Sequence, residues 1–164
     1  MNSNPILAVD PGSTESAWLI LKDGKPLAFD ITNNDQLCCM LAQPEEGLPH
    51  WVSHLAIETL HVRGMPTAQE ELDTQLWAGR FIEAFSWRRK SDKGCFTKIK
   101  RMDVKMHICG SSRANDSNIR QAIIDRFGGK DSAIGKKANP GPLKGIKDDL
   151  WSALAIAITH SETT

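Results

Sequence analysis

Four acidic residues stand where a carboxylate could do chemistry in this 164-residue chain. Asp10 ends the apolar run Ile6 to Val9, Glu58 ends another, Leu55 to Ile57, and Asp148 and Asp149 open the apolar stretch that follows them. Taken singly, each has a plain structural role. Asp10 before Pro11-Gly12 is a turn residue, Glu58 rides a strand end in water, and the aspartate pair caps a helix and complements its dipole. Taken together they suit another role, because carboxylates gathered from separate elements repel one another unless a cation lies between them. An all-oxygen set favours magnesium, with manganese as the alternative. A pair of such ions can stabilise both the attacking and the leaving oxygen when a phosphodiester is hydrolysed.

The hydrophobic pattern predicts the elements that must position these acids. Ile6 to Val9, a continuous apolar run stopped by Asp10-Pro11-Gly12, reads as a buried central strand. Ala17 to Leu21 and Leu27 to Ile31 flank Asp23-Gly24, a hairpin signal. Leu37, Met40 and Leu41 recur at helical spacing behind Asn34 and Asp35, a loop follows from Pro44 to Pro49, and Leu55 to Ile57 is a fourth strand ending at Glu58. Thr67-Ala68-Gln69-Glu70 has the form of a capping box. The helix it opens carries Ala78, Phe81, Ile82 and Phe85 on one face, and Leu76 and Trp77 widen the stripe enough to predict burial on more than one side. A fifth strand fits Phe96 to Arg101, followed by a short helix from Val104 and another from Asn115 to Phe127. The segment from Arg126 to Lys147, with six basic residues and one acid, reads as the least ordered part.

The closing helix places Leu150, Ala153, Leu154, Ala157 and Ile158 in one buried stripe. At about 100° per residue, Asp149 and Ser152 share a different face, and Asp148 sits about 100° from Asp149. Strands first, then mixed strand and helix, predict an α/β layer fold with a three-strand meander, one domain over residues 1–164.

Net charge is zero, but it is unevenly distributed. Residues 1 to 60 sum to minus six, whereas 88 to 147 carry sixteen Lys or Arg against five Asp, for plus eleven. Basic density of that order suits a polyanion, since neutralised phosphates release counterions. The acidic half then suits a metal beside that polyanion. The four cysteines, Cys38, Cys39, Cys95 and Cys109, show no zinc-ligand spacing and no disulfide framework. There is no long apolar span, and the first residues lack a secretory pattern, so the expected location is cytoplasmic, in a bacterial cell or phage-infected host.

In this order and spacing, LAVDPGS (Leu7 to Ser13), LAIETL (Leu55 to Leu60) and DDLWSALAIAITH (Asp148 to His160) resemble the RuvC family of Holliday junction resolvases. The likeness extends through VKMHICGSSRANDSNIRQAIIDRF, Val104 to Phe127. The resemblance implies an RNase H-like fold, a central mixed five-stranded sheet with its first three strands antiparallel, flanked by helices. It also implies a magnesium-dependent endonuclease that resolves four-way and other branched DNA, leaving 5′-phosphate and 3′-hydroxyl ends. The homodimer it implies would form through the Thr67 to Phe85 helix. The chain's compact size and its drift from the cellular pattern suggest a bacteriophage or prophage member.

Carried over residue by residue, Asp10 matches the family's first-strand aspartate and Glu58 its glutamate. Asp149 takes the position of the third acidic or histidine ligand. Ser152 stands where the family has a final aspartate, and a serine hydroxyl is a poor magnesium ligand. Either Asp148 shifts inward, three acids suffice, or the protein binds without efficient cutting. In the loop Thr59 to Pro66, His61 or Met65 could wedge against bases and Arg63 could contact phosphate. Lys105 matches a family lysine near a phosphate track, while Asp116 replaces a lysine expected just before the next helix, with Arg113 nearby to compensate. Lys130, Lys136 and Lys137 are candidate backbone contacts. Two rivals stay open: a non-catalytic junction binder of the same fold, and an actin-like phosphotransferase fragment in which Asp10-Pro11-Gly12-Ser13 holds ATP. The second is disfavoured because that fold needs two such domains and more Gly-rich loops.

Overall fold

A computed structural model describes residues 4–43, 48–49, 51–60, 67–88 and 95–164. The run predicted as a central strand is β1 (Ile6–Asp10), and it holds the middle of a five-stranded sheet. β2 (Glu15–Lys22) pairs antiparallel with β1 and with β3 (Lys25–Asn33). Their connection is the expected Asp23-Gly24 turn, with φ of +50° and +72°. Positive φ at both central residues is the primed turn geometry that matches the strands' right-handed twist. β4 (His54–Thr59) lies parallel to β1, and β5 (Phe96–Lys100) parallel to β4, giving the order β3-β2-β1-β4-β5. The sheet is mixed and helices flank it, as the resemblance implies.

Alternation along the strands divides the core in two. Leu7, Val9, Leu55 and Ile57 face α1 (Asn34–Ala42) and α2 (Gln69–Arg88), where Phe81 and Phe85 are fully buried. Each such aromatic is worth roughly 1.5–3 kcal/mol of burial. Ile6, Ala8, Ala56 and Ile99 face the other layer, made of α3 (Arg101–Cys109), α4 (Asp116–Arg126), the single turn α5 (Lys130–Ala133) and α6 (Leu150–Thr163). α6 is buried without a break from Leu150 to Trp151 and from Ala153 to His160, because it lies against β1 and β2. Among the described residues, no helix is long and apolar enough to cross a membrane.

Several sequence expectations are corrected. The fifth strand ends at Lys100, where its ladder with Thr59 stops, and Arg101 is the first residue of α3. α2 begins at Gln69, so the carboxylate that reaches back is Glu71, accepting from the Ala68 backbone N–H at 3.2 Å, and Glu70 is left for other partners. Leu72 and Leu76 on α2 are exposed, so the helix buries one side within the chain. The basic segment from Arg126 to Lys147 is pinned down despite its composition. Ala133, Leu143 and Ile146 are buried, and backbone bonds join Gly141 to Ile134 and Leu143 to Ala133. A Cβ on Gly141 would lie 2.3 Å from the Ala133 carbonyl oxygen, so only glycine permits this closure.

Candidate functional site

The sheet register brings the first two acids together. Val9 pairs with Ile57 across the parallel β1–β4 ladder, which sets Asp10 and Glu58 side by side at the carboxyl ends of adjacent strands. The same alternation turns both toward the α6 layer, since Asp10 follows Ile6 and Ala8, and Glu58 follows Ala56. Carboxyl ends of parallel strands are where open α/β sheets build their sites. β5 ends one residue before Arg101, so a third parallel strand delivers a basic side chain to the same rim.

α6 supplies the remaining groups. Asp149 stands just before its first residue and makes no capping hydrogen bond from its side chain, and the first turn of α6 holds no acid. Asp149 is therefore at the N-cap position, one step earlier than a first-turn residue, and its carboxylate is not consumed as a cap. Asp148 has a left-handed backbone, φ +46°, so the chain departs from helical geometry where the two aspartates meet. That answers how neighbours on a helix can line one hollow. Asp148 and Asp149 both border a cavity of about 380 Å³ with Arg101, Asp116 and Ser152. A second hollow of about 440 Å³, lined by Asp10, Glu58, Ser13, Glu70 and Glu71, lies at the sheet rim between the strand ends and the start of α2.

The electrostatics of the cluster are those of crowded acids. Burial pushes Asp10 up to about 7, and the charges of Glu58 and Asp149 push the same way, while Arg101 and a hydrogen bond from Ser152 oppose them. Glu58 is also raised by burial, against the lowering effect of Arg101 and, more weakly, Lys105. Arg101 ties the cluster together. Its Nη1 donates to the Glu58 carboxylate at 3.4 Å and to the Ser152 hydroxyl at 3.2 Å, and its Nη2 donates to Asp116 at the start of α4.

The donor set fits a hard divalent cation in chemistry. Its groups are carboxylate oxygens, and Asp10 is raised first by burial and then by the neighbouring charges of Glu58 and Asp149, against Arg101. Among the described residues, no three His, Cys, Asp or Glu side chains form a ready-made cage. Magnesium needs none, since it keeps several waters and is commonly held by one or two carboxylates together with substrate phosphate.

A hydrogen-bonded knot fixes the Asp10 turn, and it was not evident from the sequence. The Gly12 N–H donates to Ser16 Oγ at 3.1 Å, Ser16 Oγ donates to Asn34 Oδ1 at 2.6 Å, and Asn34 Nδ2 returns to the Gly12 carbonyl at 2.9 Å. Ser16 and Asn34 are buried, and Asn33, not Asn34, caps α1. A Cβ on Gly12 would lie 2.3 Å from the Glu15 carbonyl oxygen. Gly12→Ala is therefore expected to cost about 2 kcal/mol or more by chemical denaturation, because backbone must shift to admit the methyl. An unchanged midpoint would mean the turn relaxes freely.

The other sequence candidates are spread over the α3–α6 layer. Lys105 on α3 is half-buried and within electrostatic reach of Glu58. Arg113 is exposed in the turn before α4, Lys130 opens α5, and Lys136 and Lys137 are exposed in a turn closed by two Lys136–Asn139 backbone hydrogen bonds. His61, Arg63 and Met65 lie outside the described residues. Sequence reading missed Arg101, Asp116 as its partner, and Glu70, whose carboxylate accepts from Ser13 at 3.4 Å. The available signal for Arg101 was parity: it lies two residues past Ile99, as Asp10 lies two past Ala8.

No family model matches the chain, and no curated protein matches it. Among solved structures, it is similar to RuvC of T. thermophilus in complex with a Holliday junction substrate, with a TM-score of 0.63 and 17% identity over 96% of this chain and 92% of that one. It is also similar to a Thermus thermophilus RuvC structure, with a TM-score of 0.58 and 16% identity over 96% and 93% of the two chains. The chain thus has the α/β fold of these RuvC structures, with its five-stranded mixed sheet flanked by helices.

Proposed function

We propose that this chain is a divalent-metal-dependent endonuclease that cuts four-way DNA junctions. The observation that supports the reading is that Asp10 and Glu58 end adjacent strands of a RuvC-like sheet within electrostatic reach of Asp149, beside the layer that holds Lys105, Arg113, Lys130, Lys136 and Lys137. A magnesium or manganese ion held by Asp10, Glu58 and Asp149 would supply Lewis acidity and an activated water for phosphodiester hydrolysis. Asp10 must lose its proton before it can act as a ligand. Arg101 holds Glu58 in place, and the lysines position the backbone without reading sequence. The loop carrying His61, Arg63 and Met65 is assigned to the junction centre, on the resemblance alone. Asp148, which lines the α6 hollow, is kept as an auxiliary ligand.

A homodimer through α2 suits this reading, because Leu72 and Leu76 are exposed one turn apart and a two-fold assembly matches a two-fold substrate. A second reading, a junction binder without turnover, is favoured by one observation: Ser152 contributes a hydroxyl where a carboxylate would strengthen metal binding, and Arg101 already bonds to it. A synthetic four-way junction incubated with the protein and Mg²⁺ separates the two. Symmetric nicks in strands of like polarity, from a species of twice the chain mass, support the nuclease; a shifted band with intact strands supports the binder.

A further inference from the structure

The guanidinium at the centre of the acidic cluster calls for its own account. Arg101 is held at both ends: Nη1 reaches Glu58 and Ser152, and Nη2 is bound by Asp116, which belongs to a different helix. A side chain tethered by strands, α4 and α6 together is pre-positioned and loses little further freedom in the site. Two departures from the RuvC pattern meet at this one residue. Ser152 stands where an aspartate is expected and accepts from Arg101; Asp116 stands where a lysine is expected and accepts from the other arm.

The charges fit the same account. Asp10, Glu58 and Asp149 bring three negative charges, and Arg101 acts electrostatically on both Asp10 and Glu58. Arg101 Nη1 already stands between Glu58 and Ser152, where a second cation would have to meet both residues. A second ion placed there would meet the like charge of the guanidinium at close range.

We propose that Arg101 is a resident counter-cation that replaces one metal ion, so that this chain takes up a single divalent ion where a cluster with a fourth carboxylate and no arginine would take two. The inference rests on the metal-dependent reading above. Arg101 is a positioning and charge-balancing residue; the Asp116 tether keeps it from leaving when a metal arrives.

The test counts ions on the whole protein without DNA. Mn²⁺ is titrated into the chain, and the free ion is followed by its paramagnetic resonance signal. One Mn²⁺ per chain is expected for the native protein and for Arg101→Lys, which keeps the charge. Arg101→Met should bind its first ion about tenfold more tightly, and Arg101→Met with Ser152→Asp should bind two. Arg101→Gln, which keeps a polar side chain without the charge, should tighten binding in the same direction, and it serves as the readout if Arg101→Met does not fold. Two ions on the native chain, no Mn²⁺ uptake by it, or an Arg101→Met or Arg101→Gln protein with unchanged affinity would overturn the proposal. A native protein that nicks junctions yet takes up two ions loses only this inference; one that binds Mn²⁺ singly but never cuts loses the nuclease reading.

Discussion

Asp10→Asn protein is expected to bind a synthetic four-way junction at least as tightly as the native chain and to cut it about a thousandfold more slowly or worse. The loss follows from the position of Asp10 beside Glu58, where it is half-buried and subject to the charges of both Glu58 and Asp149. An amide keeps its size but cannot neutralise a divalent ion. Binding should hold or improve, because removing one negative charge lessens repulsion of the phosphate backbone. Glu58→Gln should behave alike, with the added effect of weakening the hold of Arg101 on that side. Gel shift in EDTA and cleavage in Mg²⁺ check the two halves separately. Near-native cutting by Asp10→Asn would remove Asp10 from the site.

Metal uptake, and cleavage with it, should climb about tenfold per pH unit up to about pH 7 and flatten above, because the proton on Asp10 competes with the ion. The accompanying stability effect has a definite sign. Asp10 has a folded pKa of about 7 against an ordinary 3.8, so the folded chain holds this proton more firmly than the unfolded one. That contribution is complete below pH 3.8 and is lost as pH rises through about 7. In EDTA the protein should therefore melt lower at pH 8 than at pH 6, Mg²⁺ should reverse the difference, and Asp10→Asn should abolish it. Glu162 acts in a different window. Burial works against its ionisation, but hydrogen bonds from His107 and Arg126 outweigh that and hold it below the usual range, so its contribution disappears only in acid. A melting temperature in EDTA that rises from pH 6 to pH 8 would contradict the Asp10 assignment.

What could be read from the residues and what could not divides along physical lines. β1, the Asp23-Gly24 hairpin and α6 are continuous or strictly periodic in apolar residues, and each formed where the pattern placed it. The placement of Asp10 beside Glu58 also follows from the residues, once both are put at the ends of neighbouring strands. Arg101 was hidden because it is one of sixteen basic residues in a block where all look alike, and only the end of the β5 ladder singles it out. Ser16 and Asn34 were hidden because neutral polar residues carry no periodic signal. Their value comes from closing a loop of hydrogen bonds across eighteen residues. The segment from Arg126 to Lys147 looked loose because its buried residues, Ala133, Leu143 and Ile146, are few and irregularly spaced.

That segment has a consequence for how a polyanion would be received. Lys136 and Lys137 project from a turn whose backbone is closed on itself and whose flanks are anchored in the core by Ala133 and Leu143. A basic tail of the same composition would have to be frozen on contact, at roughly 1–2 kcal/mol of backbone entropy per residue. Here that ordering is complete at folding. Phosphates meeting this ledge would find lysines rooted on an ordered backbone, so its attraction would vary with ionic strength while the polypeptide itself had no further folding to do.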